Sequence, residues 1–257
     1  MKLGVVKMKA LITGASSGIG LSMANYLSSK GYELILVARD KEKLEQVQSS
    51  LKTKTKLIIM DLSVESNAKS LYVLCKNEEI DILINNAGFG LCGTFTDTDL
   101  NRELEMIDLN MKTVHILTKQ FLKDMKKRNK GYILNVASSA AFAPGPLMAT
   151  YYATKAYVLR LTQAIQYELK KEKSNVVVSC LCPGPVDTNF NKVANVKFSI
   201  KPLKSDDVAI YAIDQMLKGK KVIVPGFKMK ITRFFSRFAS DNLKCKVVYQ
   251  VQRKKIK

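Results

Sequence analysis

Short apolar runs that do not alternate with polar residues recur along this chain, separated by stretches with helical apolar spacing. The runs are Ala10-Leu11-Ile12, Leu34-Ile35-Leu36-Val37, Leu57-Ile58-Ile59-Met60, Ile82-Leu83-Ile84, Tyr132-Ile133-Leu134-Asn135-Val136, Val176-Val177-Val178 and Val222-Ile223-Val224. Helical spacing fills Leu21 to Lys30 and Leu44 to Leu51. A strand without alternation is buried on both faces, which requires a parallel sheet covered by helices on either side. Crossovers of one hand then predict an α/β, doubly wound parallel sheet of about seven strands. Ligands of such sheets bind outside the carboxyl ends of the strands. No internal repeat or linker is visible, so one domain is expected over residues 1–225, followed by a distinct extension over 226–257.

The first run leads into Thr13-Gly14-Ala15-Ser16-Ser17-Gly18-Ile19-Gly20, which opens a helical stretch. Strand, glycine turn and helix N-terminus together make a phosphate cradle. Glycine tolerates backbone angles that other residues resist, and without a side chain it lets a diphosphate approach the main chain. The first N–H groups of the helix lack internal partners and point at the anion. The same residues match the G-x-S-x-G nucleophile elbow of serine hydrolases. That reading fails because only one strand precedes the turn and the base would have to be the single histidine, His115, which reads as a packed or half-exposed helix residue.

The second strand ends Val37-Ala38-Arg39-Asp40. An acidic residue at its tip would bind the adenosine ribose hydroxyls and repel a 2′-phosphate. Ala38 takes that place, and Arg39 offers forked donors to a phosphate. The expectation is NADP(H), with Asp40 as N-cap of the next helix.

Composition sets bounds. No apolar stretch approaches the roughly 20 residues needed to span a bilayer, and the first seven residues do not form a secretory signal. Five cysteines without C-x-x-C spacing fit reduced thiols in a cytoplasmic protein. Cys180 and Cys182 share one face of a strand, where packing explains them better than a metal, and no metal site is expected. The charge is +20, from 42 Lys+Arg against 22 Asp+Glu. Such a balance attracts phosphorylated cofactors, acidic proteins, anionic lipid or nucleic acid, or else marks a lysine-rich solvated surface; no nucleic-acid module is present, and none is expected as partner.

From about residue 8 to 225 the chain resembles the short-chain dehydrogenase/reductase family. The motifs fall in the family's order: the glycine turn at Thr13-Gly14 and Gly18-Ile19-Gly20, Asp61 after the third strand, Asn85-Asn86-Ala87-Gly88, and Pro183-Gly184 with Thr188. Asn110, Ser138, Tyr151 and Lys155 match the catalytic tetrad. Tyr151, not Tyr152, stands four residues before Lys155 and shares its helix face; Ser138, not Ser139, has the family's spacing to that tyrosine. The resemblance implies a Rossmann-like fold and a dinucleotide held by Gly14, Ser16, Ser17, Gly18, Ile19, Gly20, Arg39, Asp61, Leu62, Asn86, Ala87, Gly88, Tyr151, Lys155, Pro183, Gly184, Val186 and Thr188.

It further implies interconversion of a ketone and a secondary alcohol. Phenol has a pKa near 10, and the Lys155 ammonium and the nearby positive nicotinamide are expected to lower it so that Tyr151 serves as general acid in reduction and as base in oxidation. Ser138 would bond the substrate oxygen, and Asn110 would support a water chain to Lys155. A pocket of Phe89 to Phe95, Ala140 to Met148 and Asp187 to Leu203 would take a hydrophobic carbonyl: a 3-oxoacyl thioester, a steroid or a smaller ketone. A homodimer or homotetramer is the family's habit. A cofactor-binding sensor or scaffold with little turnover is the reading from another class.

The extension from Gly226 to Lys257 holds ten Lys/Arg and one acid, Asp241, a net of +9. Phe227, Ile231, Phe234, Phe235 and Phe238 recur at helical spacing, with Lys228, Lys230, Arg233 and Arg237 largely elsewhere. This stripe would pack on the body or a partner subunit, bind an anionic membrane surface, or stay disordered; an acidic carrier protein is a further partner that the charge allows.

Overall fold

In a computed structural model, which describes residues 8–188 and 202–253, the strands form one seven-stranded parallel sheet in the order β3-β2-β1-β4-β5-β6-β7. The strands are β1 (Lys9–Thr13), β2 (Glu33–Ala38), β3 (Thr55–Ile59), β4 (Ile82–Asn85), β5 (Tyr132–Val136), β6 (Val177–Leu181) and β7 (Val222–Ile223). The helices between them are α1 (Gly18–Ser29), α2 (Lys41–Ser50), α3 (Glu65–Cys75), α4 (Leu100–Ile107), α5 (Val114–Arg128), α6 (Ala149–Lys171) and α7 (Ser205–Leu217). Two more, α8 (Phe227–Ser236) and α9 (Asp241–Arg253), follow the last strand. This is the expected doubly wound, Rossmann-like domain.

Successive strand residues serve opposite faces, and both faces are apolar. Ala10, Ile12, Leu34, Leu36, Ile82, Ile84 and Leu134 join Met23 and Leu27 of α1 and Ala212 and Met216 of α7 in one core layer. Leu11, Ile35, Val37, Leu83, Ile133 and Val178 join Leu71 of α3 and Leu117, Phe121 and Met125 of α5 in the other. Burial on both sides is why the runs show no alternation.

Strand order reverses between β1 and β4, which are hydrogen-bonded neighbours. Their connections leave for opposite faces, so a crevice opens at their carboxyl ends. Behind it lies a buried polar seam. Asn85 donates to Thr118 Oγ1 at 3.0 Å and Asn135 Oδ1 at 2.8 Å, and Asn135 donates to Thr162 Oγ1 at 3.0 Å. The seam fastens α5 and α6 to the strands that carry the site.

One helix holds an irregularity. Between α4 and α5 the residues Asp108–Thr113 form a π-helical stretch. Such wide turns are rare and gather at functional sites, and Asn110 lies in this one.

Candidate active site

The glycine turn is shaped by contacts that a side chain would break. Gly14 has a φ of 66°, and a Cβ there would lie 2.9 Å from the Ala87 Cα. Thr13 Oγ1 accepts from the backbone N–H groups of Asn86 and Ala87, both at 3.0 Å. The Asn86 amide donates to Thr13 O at 3.0 Å and to Gly14 O at 3.1 Å. The ends of β1 and β4 are thereby locked together. Ser17 precedes α1 as its N-cap residue but makes no side-chain cap, and no acid lies in the first turn, whereas Asp40 caps α2 by accepting from Lys43 N. The open N–H groups of α1 and the residues Ser16, Ser17, Gly18 and Ile19 face a cavity of about 570 Å³.

Most of the expected residues meet on this cavity. Its lining includes Gly14, Arg39, Asp61, Leu62, Asn86, Ala87, Gly88, Ser138, Tyr151, Lys155, Pro183, Gly184, Val186 and Thr188. Thr188 lies over the turn, 3.0 Å from where a Gly18 Cβ would sit.

Two of the expected residues do not line it. Gly20 packs beneath the turn; a Cβ there would be 2.3 Å from Gly14 O. Asn110 is fully buried. Its Oδ1 accepts from Phe89 N at 3.1 Å, and its Nδ2 donates to Phe89 O at 2.9 Å and Thr154 Oγ1 at 3.2 Å. It pins the loop that follows Gly88.

Tyr151 and Lys155 sit deep. They are 8% and 5% exposed, one turn apart on α6. Burial pushes the Tyr151 phenol up to about 12, against a hydrogen bond with Ser138 that lowers it. Burial likewise pulls Lys155 down to about 8. Lys155 Nζ donates to Val136 O at 3.0 Å and stands 5.8 Å from the Tyr151 ring centroid. Desolvation is the largest influence on both groups, raising the phenol and lowering the ammonium.

At the far end, Arg39 Nη1 lies 3.4 Å from Asp61 and 3.3 Å from Glu105, with a side chain 59% exposed. Exposed pairs of this kind are weak, so the guanidinium is free to exchange partners. Asp61 stays below its ordinary pKa; burial alone would raise it, but the Ser63 hydroxyl and N–H and Arg39 outweigh that.

Three lining residues, Lys43, Arg102 and Gln252, carry no sequence signal for this place. Arg102 stacks over the Phe89 ring at 4.7 Å. Gln252 comes from α9 and donates to the Tyr152 hydroxyl at 2.7 Å. It is 3% exposed, and its Oε1 has no partner. Tyr152, expected as packing or pocket wall, is held by Gly145: a Cβ at Gly145 would stand 2.0 Å from the ring. Phe89, Ala140 and Met148 line the cavity as expected, whereas Phe95 is 69% exposed. Phe190 and most of the segment Asp187 to Leu203 lie outside the described residues. Elsewhere, His115 pairs with the Tyr157 hydroxyl at 2.7 Å, and the Cys180 and Cys182 sulfurs pack at 3.7 Å. Among the described residues no cluster of ligating side chains could hold a metal ion, and no helix is long and apolar enough to cross a membrane.

The sequence pattern described as short chain dehydrogenase matches residues 8–197. An uncharacterized oxidoreductase of Staphylococcus epidermidis is 34% identical over 211 residues, 80% of this chain and 90% of that one. A short-chain dehydrogenase from Sphingobium yanoikuyae, solved in complex with NADPH, superposes with a TM-score of 0.82 at 27% identity, covering 92% of this chain and 94% of that one. A member from Burkholderia phymatum, solved with NAD, gives 0.80 at 24% identity over 89% and 92%, a likeness of fold.

Proposed function

The chain belongs to the short-chain dehydrogenase/reductase family, and on that premise we propose that it interconverts a ketone and a secondary alcohol on a hydrophobic substrate, with NADP(H) as cofactor. The observation that carries this reading is the convergence of Ser138, Tyr151 and Lys155 on the same cavity as the uncapped N-terminus of α1 and Arg39. The glycine turn suits a diphosphate: its donors are open and no acid opposes an anion there. Arg39 and Lys43 bring two cations to the place expected for the 2′-phosphate, which favours NADP(H) over NAD(H).

When bound, the cofactor supplies or accepts the hydride. The chain's own residues handle the oxygen. Ser138 hydrogen-bonds the phenol of Tyr151, and the same two hydroxyls can hold a carbonyl oxygen between them. With its pKa near 12, Tyr151 enters the reductive direction already protonated and donates to the nascent alkoxide. Lys155, displaced towards 8, regains full charge when a neighbouring anion forms. Asn110 holds Phe89 and Gly88 in place beside Lys155, and its Oδ1 lies 2.7 Å from where a Gly88 Cβ would be.

Calorimetric titration with NADPH and, separately, NADH tests the reading without a guess at substrate. Tighter binding of NADPH is expected. Preference for NADH would overturn the role of Arg39, and binding of neither would overturn the reading itself. In the same preparation, Tyr151→Phe is expected to keep the NADPH titration while ketone turnover falls about 10²–10⁴-fold, the usual worth of a positioned proton donor.

A further inference from the structure

The helices α8 and α9 present the wrong side to the protein. Phe227, Phe234, Phe235 and Phe238 are 76%, 54%, 63% and 75% exposed, and Leu243 and Val247 are 52% and 50%. The inward side is the more polar one. Arg233 stacks over Phe142 at 5.3 Å, Lys230 lies over the Tyr211 ring at 5.4 Å, and Gln252 bonds Tyr152. Met229 puts an apolar side chain against the body, its sulfur 2.7 Å from where a Gly184 Cβ would sit. Amphipathic helices normally turn the apolar stripe to the core. Here the aromatic rings pack on one another in the open, Phe234 edge-on to Phe235 and Phe238 with centroids 5.5 Å apart in both pairs.

We propose that this outward face of α8 and α9 docks on an anionic lipid surface. Lys228, Arg237 and Lys246 are exposed along the same segment, and Asp241 is the one acid between Gly226 and Lys257. Phenyl rings seat at the headgroup–acyl boundary while flanking cations meet anionic headgroups. A second copy of this chain is the poorer occupant: each carries +20 and the face has almost no carboxylate to meet its twin. Because Gln252 on the inner side of α9 lines the cavity, docking brings the cavity to the lipid–water boundary. The docking stands whether or not the oxidoreductase reading does.

Sedimentation with vesicles of phosphatidylcholine, with and without phosphatidylglycerol, tests it on the full chain. The protein is expected to pellet with the anionic vesicles, less so as salt rises. The combined variant Phe234→Ser, Phe235→Ser, Phe238→Ser is expected to lower the partition coefficient about tenfold or more, since burial of three rings is lost. A protein that stays in the supernatant, or a variant that pellets equally, overturns the proposal. A wild-type dimer by analytical ultracentrifugation that the variant splits also overturns it, because the face is then a subunit interface. The chain has no tryptophan, so Phe235→Trp adds a single reporter. Its emission is expected to shift to the blue with anionic vesicles, and unchanged emission overturns the docking.

Discussion

Lys155 shows how burial, rather than motif, sets the working state of a residue. Its ordinary pKa of 10.5 falls to about 8 because the side chain is desolvated. In that window the unfolded chain carries a proton that the folded chain has released. Stability contributed through this group therefore rises as pH climbs from about 8 towards 10.5, and the cost of burying the ammonium is fully present below 8. Lys155→Met removes the titration. The difference in urea midpoint between wild type and variant is expected to move in favour of the wild type across those pH values. A difference that does not change with pH would mean that Lys155 titrates as an exposed lysine does. Tyr151 follows the same physics with the opposite sign, burial raising its phenol to about 12.

At the scale of elements, the turn between β1 and α1 depends on absent side chains. A methyl at Gly20 would stand 2.3 Å from Gly14 O and 2.5 Å from Asn86 Nδ2. Neither atom can yield freely, since one is backbone and the other is bonded to Thr13 O and Gly14 O. Gly20→Ala is expected to cost about 1–3 kcal/mol by overpacking, read as a lower thermal midpoint together with weaker NADPH binding; an unchanged midpoint would show that the turn gives way. This part of the site was legible because a glycine pattern states a backbone requirement directly. The strands were legible for a similar reason: Ala10 to Ile12 and Leu34 to Val37 must be buried on both faces. The π-helical turn was not, since Asp108–Thr113 contains neither glycine nor proline to mark it. Gln252 was not, because a polar residue on a basic helix gives no sign of meeting Tyr152, 100 residues earlier. The direction of the Tyr151 shift depends on enclosure, which spacing does not report.

For the whole molecule, charge is the dominant irregularity. The ion pairs are mostly between exposed side chains, such as Lys41 with Glu45 and Lys69 with Glu65, and offset little of the mutual repulsion within a chain of +20. Screening that repulsion stabilises the compact state. The melting temperature is expected to rise as sodium chloride is raised from low to physiological strength in a scanning-fluorimetry series; a flat or falling curve would show that attractive pairs prevail. The cavity, too, is a property of the whole. Gly14, from the turn after the first strand, and Gln252, from the last described helix, belong to one lining. A chain clipped before α9 keeps the glycine turn and the Ser138–Tyr151–Lys155 wall but loses the side that Gln252 closes.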